Sequence, residues 1–411
     1  MSVHQRYVPR NANEESTSSS SIQVLRVTDG ARYLASKIPE VYTKDVPIFS
    51  EREERISGYF QRHKDDDGAD SDASYDSEEE DAIATYKTKM AQAIVPVAGI
   101  PISRILNHPN IVSLVDIVQD SLQAGNTSLI GGSGDVTIWE DMDAGSLSYI
   151  VPLANGLPAL DDKAAWEQLT TVNSKRPALP EGLCWHVLRS MARALIWLHH
   201  GIKETAGVPG EWEKRDQDWQ PILIRDISPS QVWFKKPDGK KGYHYGECKL
   251  GGFKWAKVCG TVGGRLAVSE RVPNTPEYKQ MYWPPEIYRN THPWTRATEI
   301  WQLGATVYTM MCGHPPSRYS DYQWNCSRMT DAGYSDFLNT VVRMMLKDEP
   351  GLRPDALTLV NKVDFEYWQW RDGTKLGQEY VDKDDEKVKK ASNTKGKGGL
   401  RNLAGGGFQG V

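Results

Sequence analysis

Two short apolar runs, 22–27 and 32–38, flank the turn Thr28-Asp29-Gly30 and predict a β-hairpin near the start of the chain. Similar runs at 111–117 and 136–139 predict further strands, and the charged stretch 50–63 is helix-prone. From 183 to 200 the rhythm changes. Leu183, Val187, Leu188, Met191, Leu195 and Leu198 recur at helical spacing. Segments 298–311 and 334–346 predict two more helices, the second stopped by Asp348-Glu349-Pro350-Gly351. Strands first and helices afterwards make an α+β pattern. It divides the chain into a small β-rich half and a larger helical half, with a cleft expected between them.

Three segments fall outside this pattern. Residues 1–21 are polar and Ser-rich and are expected to be a disordered arm without a secretory signal. The acidic run within 64–82 repels itself and cannot bury apolar surface, so it reads as a disordered insertion. Its Ser71, Ser74 and Ser77 have acidic neighbours, which makes them candidate phosphorylation sites. Residues 373–411, Lys-rich and then Gly-rich, are expected to be a disordered tail. The ordered halves are then 22–142 and 143–372.

Charge and cysteine content narrow the functional classes. A net charge of -5 argues against nucleic-acid binding. No apolar stretch reaches the roughly 20 residues that span a bilayer, so no membrane association is expected. The five cysteines, Cys184, Cys248, Cys259, Cys312 and Cys326, include no C-x-x-C pair. They are expected to be reduced thiols in a cytoplasmic or nuclear protein, not zinc ligands.

A series of short motifs follows the chain. Asn107-His108-Pro109-Asn110-Ile111-Val112 precedes Trp139-Glu140-Asp141-Met142-Asp143-Ala144-Gly145-Ser146-Leu147. Next come Leu198-His199-His200-Gly201, Ile224-Arg225-Asp226-Ile227-Ser228-Pro229-Ser230-Gln231 and Lys249-Leu250-Gly251-Gly252-Phe253-Lys254. The late motifs are Asn274-Thr275-Pro276-Glu277-Tyr278, Pro284-Pro285-Glu286, Glu299-Ile300-Trp301-Gln302-Leu303-Gly304 and Leu352-Arg353-Pro354. Each alone is weak. In this order they resemble the eukaryotic protein kinase family, from the H-P-N-I-V run and hinge through the catalytic loop, D-F-G, A-P-E and the late R-P. The resemblance implies a two-lobed protein-kinase-like fold, with a small β-rich N-lobe and a larger, mainly helical C-lobe.

It also implies roles for individual residues. Lys37, ending Tyr33-Leu34-Ala35-Ser36-Lys37, stands for the lysine on the nucleotide phosphates, with Lys87 as its rival. Glu140 and Met142 would lie along the nucleotide at the hinge. Trp139 takes the gatekeeper position, where it would narrow the pocket or simply pack in the core. Asp226 keeps the position of the catalytic base and Arg225 precedes it, while Ile224 replaces the usual His and could pack on Phe253. Glu286 and Arg353 take the positions of a structural ion pair, and Glu299 replaces an Asp on a central helix.

Much of the phosphate and metal apparatus departs from the family. Gly30 is the sole glycine before Gly58, so no glycine-rich loop can wrap phosphates. Ser228 replaces a Lys and Gln231 replaces a metal-binding Asn. Gly252 stands in place of the D-F-G aspartate and offers no ligand, whereas Lys254 could bring a positive charge in its stead. These departures imply a pseudokinase with a regulatory or scaffolding role, weak or absent phosphoryl transfer, and protein partners docking on the C-lobe. ATP stays open as a ligand; magnesium is expected to bind weakly or not at all. The alternative is an atypical ATP-dependent serine/threonine protein kinase. The segment 203–220, with Trp212 and Trp219, is a partner surface or a solvated loop.

Overall fold

The computed structural model describes residues 6–9, 21–37, 108–120, 134–151, 162–172, 179–205, 211–214, 219–237, 239, 244–262, 265–267, 277–289, 291–317 and 322–381. The helix-prone stretch 50–63, the acidic run with its three serines, and Lys87 lie outside them. The chain forms two compact units, Met1–Asp141 with Lys257–Val268, and Met142–Ala256 with Ser269–Val411. Among the described residues the first is built on a small sheet and the second is larger and mainly helical. This is the α+β architecture that the pattern predicts.

The first unit carries a five-stranded sheet of order β1-β2-β3-β5-β4. Its strands are β1 (Tyr7–Pro9), β2 (Ser21–Arg26), β3 (Arg32–Lys37), β4 (Leu114–Asp120) and β5 (Gly134–Glu140). Tyr7, Val24, Ala35, Val118, Val136 and Ile138 form its core. The β2–β3 turn closes on Gly30, whose φ of 65° suits a residue without Cβ, and Arg26 pairs with Asp29 across it.

Two expectations are corrected here. The arm 1–21 contains a strand: β1 pairs antiparallel with β2, from Tyr7 opposite Arg26 to Pro9 opposite Val24. Three residues are too few for an alternation to show, and the strand is held from outside its own sequence. Tyr7 is 3% exposed, and its hydroxyl donates to Asp116 at 3.2 Å. The strand expected over 111–117 starts later, at Leu114, because Ile111 closes the preceding turn by an N–H bond to His108 O.

The second unit is built around helix α2 (Glu181–His200), which follows α1 (Lys163–Val172). α2 is buried on nearly every face, the property of a central helix. It ends at Gly201, whose φ is 63°, and the indole of Trp219 lies over that glycine. A Cβ on Gly201 would stand 2.5 Å from the Trp219 ring. Trp219 Nε1 also donates to Leu198 O at 3.0 Å, and its ring meets Trp197 at 4.9 Å. Trp219 therefore covers this helix end. Ahead of it, β7 (Ile202–Glu204) and β8 (Trp212–Lys214) form a hairpin.

A small sheet joins β6 (Gly145–Ser146), β10 (Val232–Phe234) and β11 (Cys248–Leu250), and the strand β9 (Ile222–Leu223) precedes the loop to β10. The later helices are α3 (Glu277–Gln280), α4 (Pro285–Tyr288), α5 (Arg296–Cys312), α6 (Tyr322–Asp331), α7 (Asp336–Met345), α8 (Ala356–Gly373) and α9 (Lys375–Glu379). A Thr295/Thr298 capping box opens α5. Its Gly304 lets the helix approach Met345 and Leu346 closely. Trp185 of α2 packs against Tyr367 and Trp370 of α8, with centroids 5.9 and 6.0 Å apart.

The tail is also corrected. Order continues past 373: Thr374 caps α9 by accepting from Gly377 N, and Tyr380 is 4% exposed. Its ring packs on Trp370 and His244, and Val381 N donates to His244 Nδ1 at 3.0 Å. A tyrosine in an otherwise polar, Lys-rich stretch was the signal for this anchor.

Candidate functional site

The candidate catalytic residues of the second unit converge on the loop between β9 and β10. Arg225 is the sole non-glycine with positive φ among the described residues, at 63°, a conformation that persists only when its surroundings impose it. They do. Glu299, fully buried on α5, accepts the Arg225 N–H at 2.7 Å through Oε1. Its Oε2 meets His199 Nε2 at 2.7 Å. Arg225 Nε in turn donates to Trp255 O at 2.8 Å. One buried carboxylate thus ties α2 and α5 to the loop that presents Asp226.

Asp226 is itself buried, at 7% exposure. Ser228 Oγ donates to its Oδ1 at 2.8 Å, and Ser228 and Ser230 hydroxyls lie 3.0 Å apart. Gln231 Nε2 donates to Oδ2 at 3.1 Å. The Lys279 ammonium, from α3, pairs with the same Oδ2. Lys279 escaped the reading of the sequence because 53 residues separate it from Asp226. The only hint was the missing cation at 228, which invites a replacement from elsewhere without saying where.

Gly252 and Gln231 fit each other. Gly252 has φ 81° and opens a single helical turn, Phe253–Trp255. A Cβ on it would stand 2.3 Å from Gln231 Oε1 and 2.5 Å from Cδ. The extra methylene of Gln231 therefore pushes its amide into the space that any larger residue at 252 would need. Ile224 is fully buried and Phe253 half-buried.

Gly252 has no ligand atom, the Gln231 oxygen faces Gly252, and an ammonium already neutralises Asp226. Among the described residues no group of three or more His, Cys, Asp or Glu gathers.

Lys37 ends β3 opposite Val136, and Lys254 sits in the turn after Gly252; the side chains of both are outside the described atoms. Glu140 ends β5, and its carboxylate accepts from Ser113 N at 3.2 Å. Trp139 Nε1 donates to Thr137 Oγ1. Met142 is buried. Glu286 and Arg353 form a buried two-pronged bridge, at 2.6 and 2.8 Å.

Three further groups respond to burial. His200 is pushed down to about 4, by desolvation first and by His199 next. The unfolded chain therefore binds this proton more readily than the folded one. Its contribution to stability is full above the unfolded value near 6.5 and is lost as the pH falls from there toward 4. Measured between those limits, the loss of stability on acidification should be shallower in His200→Gln than in the wild type; equal slopes would refute this. The five cysteines are free, and burial pushes the Cys184 and Cys248 thiols up, which makes them unreactive.

Comparison with known proteins relates this chain to protein kinases. Over 144 residues it is 26% identical to a probable myosin light chain kinase of Dictyostelium discoideum, covering 32% of this chain and 26% of that protein. Over 146 residues it is 29% identical to serine/threonine-protein kinase Nek3 of Mus musculus, covering 34% and 25%. The chain thus spans about a quarter of the length of these relatives. A solved structure of Rad53 1–466 in complex with AMP-PNP is similar with a TM-score of 0.45 and 14% identity, over 88% of this chain and 65% of that one. No model of a protein family matches. No described helix is long and apolar enough to cross a membrane.

Proposed function

We propose that this chain is a pseudokinase, a kinase-related regulatory or scaffolding protein with weak or absent phosphoryl transfer. The observation that carries the reading is the fit of Gln231 against Gly252. It fills the position where a magnesium-binding carboxylate would be needed. Losing one strong transition-state contact costs about 10²–10³ in rate, and phosphoryl transfer depends on charge neutralisation more than on covalent help from the protein. The maintained Glu299 and Glu286–Arg353 contacts support a scaffold kept for its shape. Protein partners would dock on the helical unit, in the cytoplasm or nucleus. ATP would be held without magnesium or only weakly with it, by Lys37, Glu140, Met142, Gln231 and Lys254. The retained Asp226 leaves an atypical serine/threonine kinase as the second reading.

Thermal shifts with ATP, with and without magnesium, test the first reading. The wild type should show no magnesium-dependent stabilisation. Gly252→Asp alone should not acquire it, because Gln231 occupies the space, whereas Gly252→Asp with Gln231→Asn should. Phosphate transfer to a protein by the wild type, abolished in Asp226→Ala, would establish the second reading instead.

A further inference from the structure

We propose that Lys279 is an internal lock on Asp226, pairing with its carboxylate and neutralising the charge that an incoming group would need. This rests on the reading of Asp226 as the retained base position. An ionised carboxylate offers about four acceptor sites. Oδ1 takes the Ser228 hydroxyl, while Oδ2 takes both the Gln231 amide and the Lys279 ammonium. With the Asp226 side chain 9% exposed and that of Lys279 16%, the pair is nearly closed off from water. A hydroxyl seeking to give up its proton would find a carboxylate whose charge is already neutralised.

The position of Lys279 also suits a lock that can open. It lies in a helix of four residues, too short to hold its own shape. Tyr278 before it is 55% exposed, while Met281 and Tyr282 after it are buried. Buried residues thus anchor the backbone just after Lys279, and a lysine has four rotatable side-chain bonds with which to leave. Ser228 is too short and uncharged to replace it. Opening would expose Asp226 without disturbing Glu299, which holds the loop from the opposite element.

Carbodiimide-driven coupling of a small amine to carboxylates, read by peptide mass spectrometry on the full chain, tests this directly. In the wild type, Asp226 should label as slowly as the bridged Glu286 and far more slowly than the exposed Glu213. Lys279→Met should raise labelling of Asp226 by about tenfold or more, the scale of one hydrogen bond to a charged group, with Glu286 unchanged. Lys279→Arg should stay protected. Wild-type Asp226 labelling at the rate of Glu213, or no rise in a folded Lys279→Met, overturns the lock. If Lys279→Met does not fold, the wild-type comparison with Glu286 and Glu213 decides alone. Phosphate transfer by the same variant separates the two readings. Raised labelling without transfer leaves both standing; raised labelling with Asp226-dependent transfer keeps the lock and removes the pseudokinase.

Discussion

Glu299→Ala should destabilise the helical unit by about 3–5 kcal/mol, the cost of removing one member of a buried charged network. The Glu299 side chain is fully buried, and its two oxygens serve two different elements: the Arg225 N–H and His199 Nε2. Truncation leaves a backbone donor without its acceptor in the interior. It also removes the contact that holds Arg225 at positive φ, a conformation that itself costs of the order of 1–3 kcal/mol. Glu299→Gln keeps one acceptor and the shape of the side chain, so its loss should be roughly half as large or less. Urea unfolding followed by tryptophan fluorescence measures both. A shift of under about 1 kcal/mol for Glu299→Ala, smaller than a single lost buried hydrogen bond, would mean that the loop is held some other way.

Arg353→Ala should cost a similar amount for a different reason. Its guanidinium is fully buried and makes the bidentate bridge to Glu286. Three more bonds run to the carbonyls of Lys347, Ala297 and Asp348. Alanine leaves the Glu286 carboxylate, 4% exposed, without its cation. Lysine cannot reproduce the fork, so Arg353→Lys should recover only part of the loss. Glu286→Gln combined with Arg353→Met should be less destabilising than Arg353→Met alone, because no charge is then stranded. If the double variant is the worse of the two, uncompensated charge is not the cause.

Hydrophobic spacing made the regular elements of the second unit legible. The helix expected over 183–200 is Glu181–His200, that over 298–311 is Arg296–Cys312, and that over 334–346 is Asp336–Met345. Long periodic runs survive because burial of one face or of the whole helix outweighs local propensity. The short elements were hidden. β1 is three residues long and owes its place to Asp116, over a hundred positions away. The anchor at Tyr380 depends on an aromatic pocket built from α8 and from residues near His244.

The candidate site divides in the same way. The sequence by itself determined which groups are present: a carboxylate at Asp226, none at Gly252, no cation at Ser228, and a longer amide at Gln231. Those are local facts, readable from a motif and its spacing. Only the tertiary structure decided what they do to one another. The Gln231 amide fills the space at Gly252, Glu299 imposes the backbone of Arg225, and the Lys279 ammonium reaches Asp226 from another element. The reason is physical. Ion pairing and exclusion of volume act through a few ångströms of space, and chain folding alone brings residues 53 positions apart within that range.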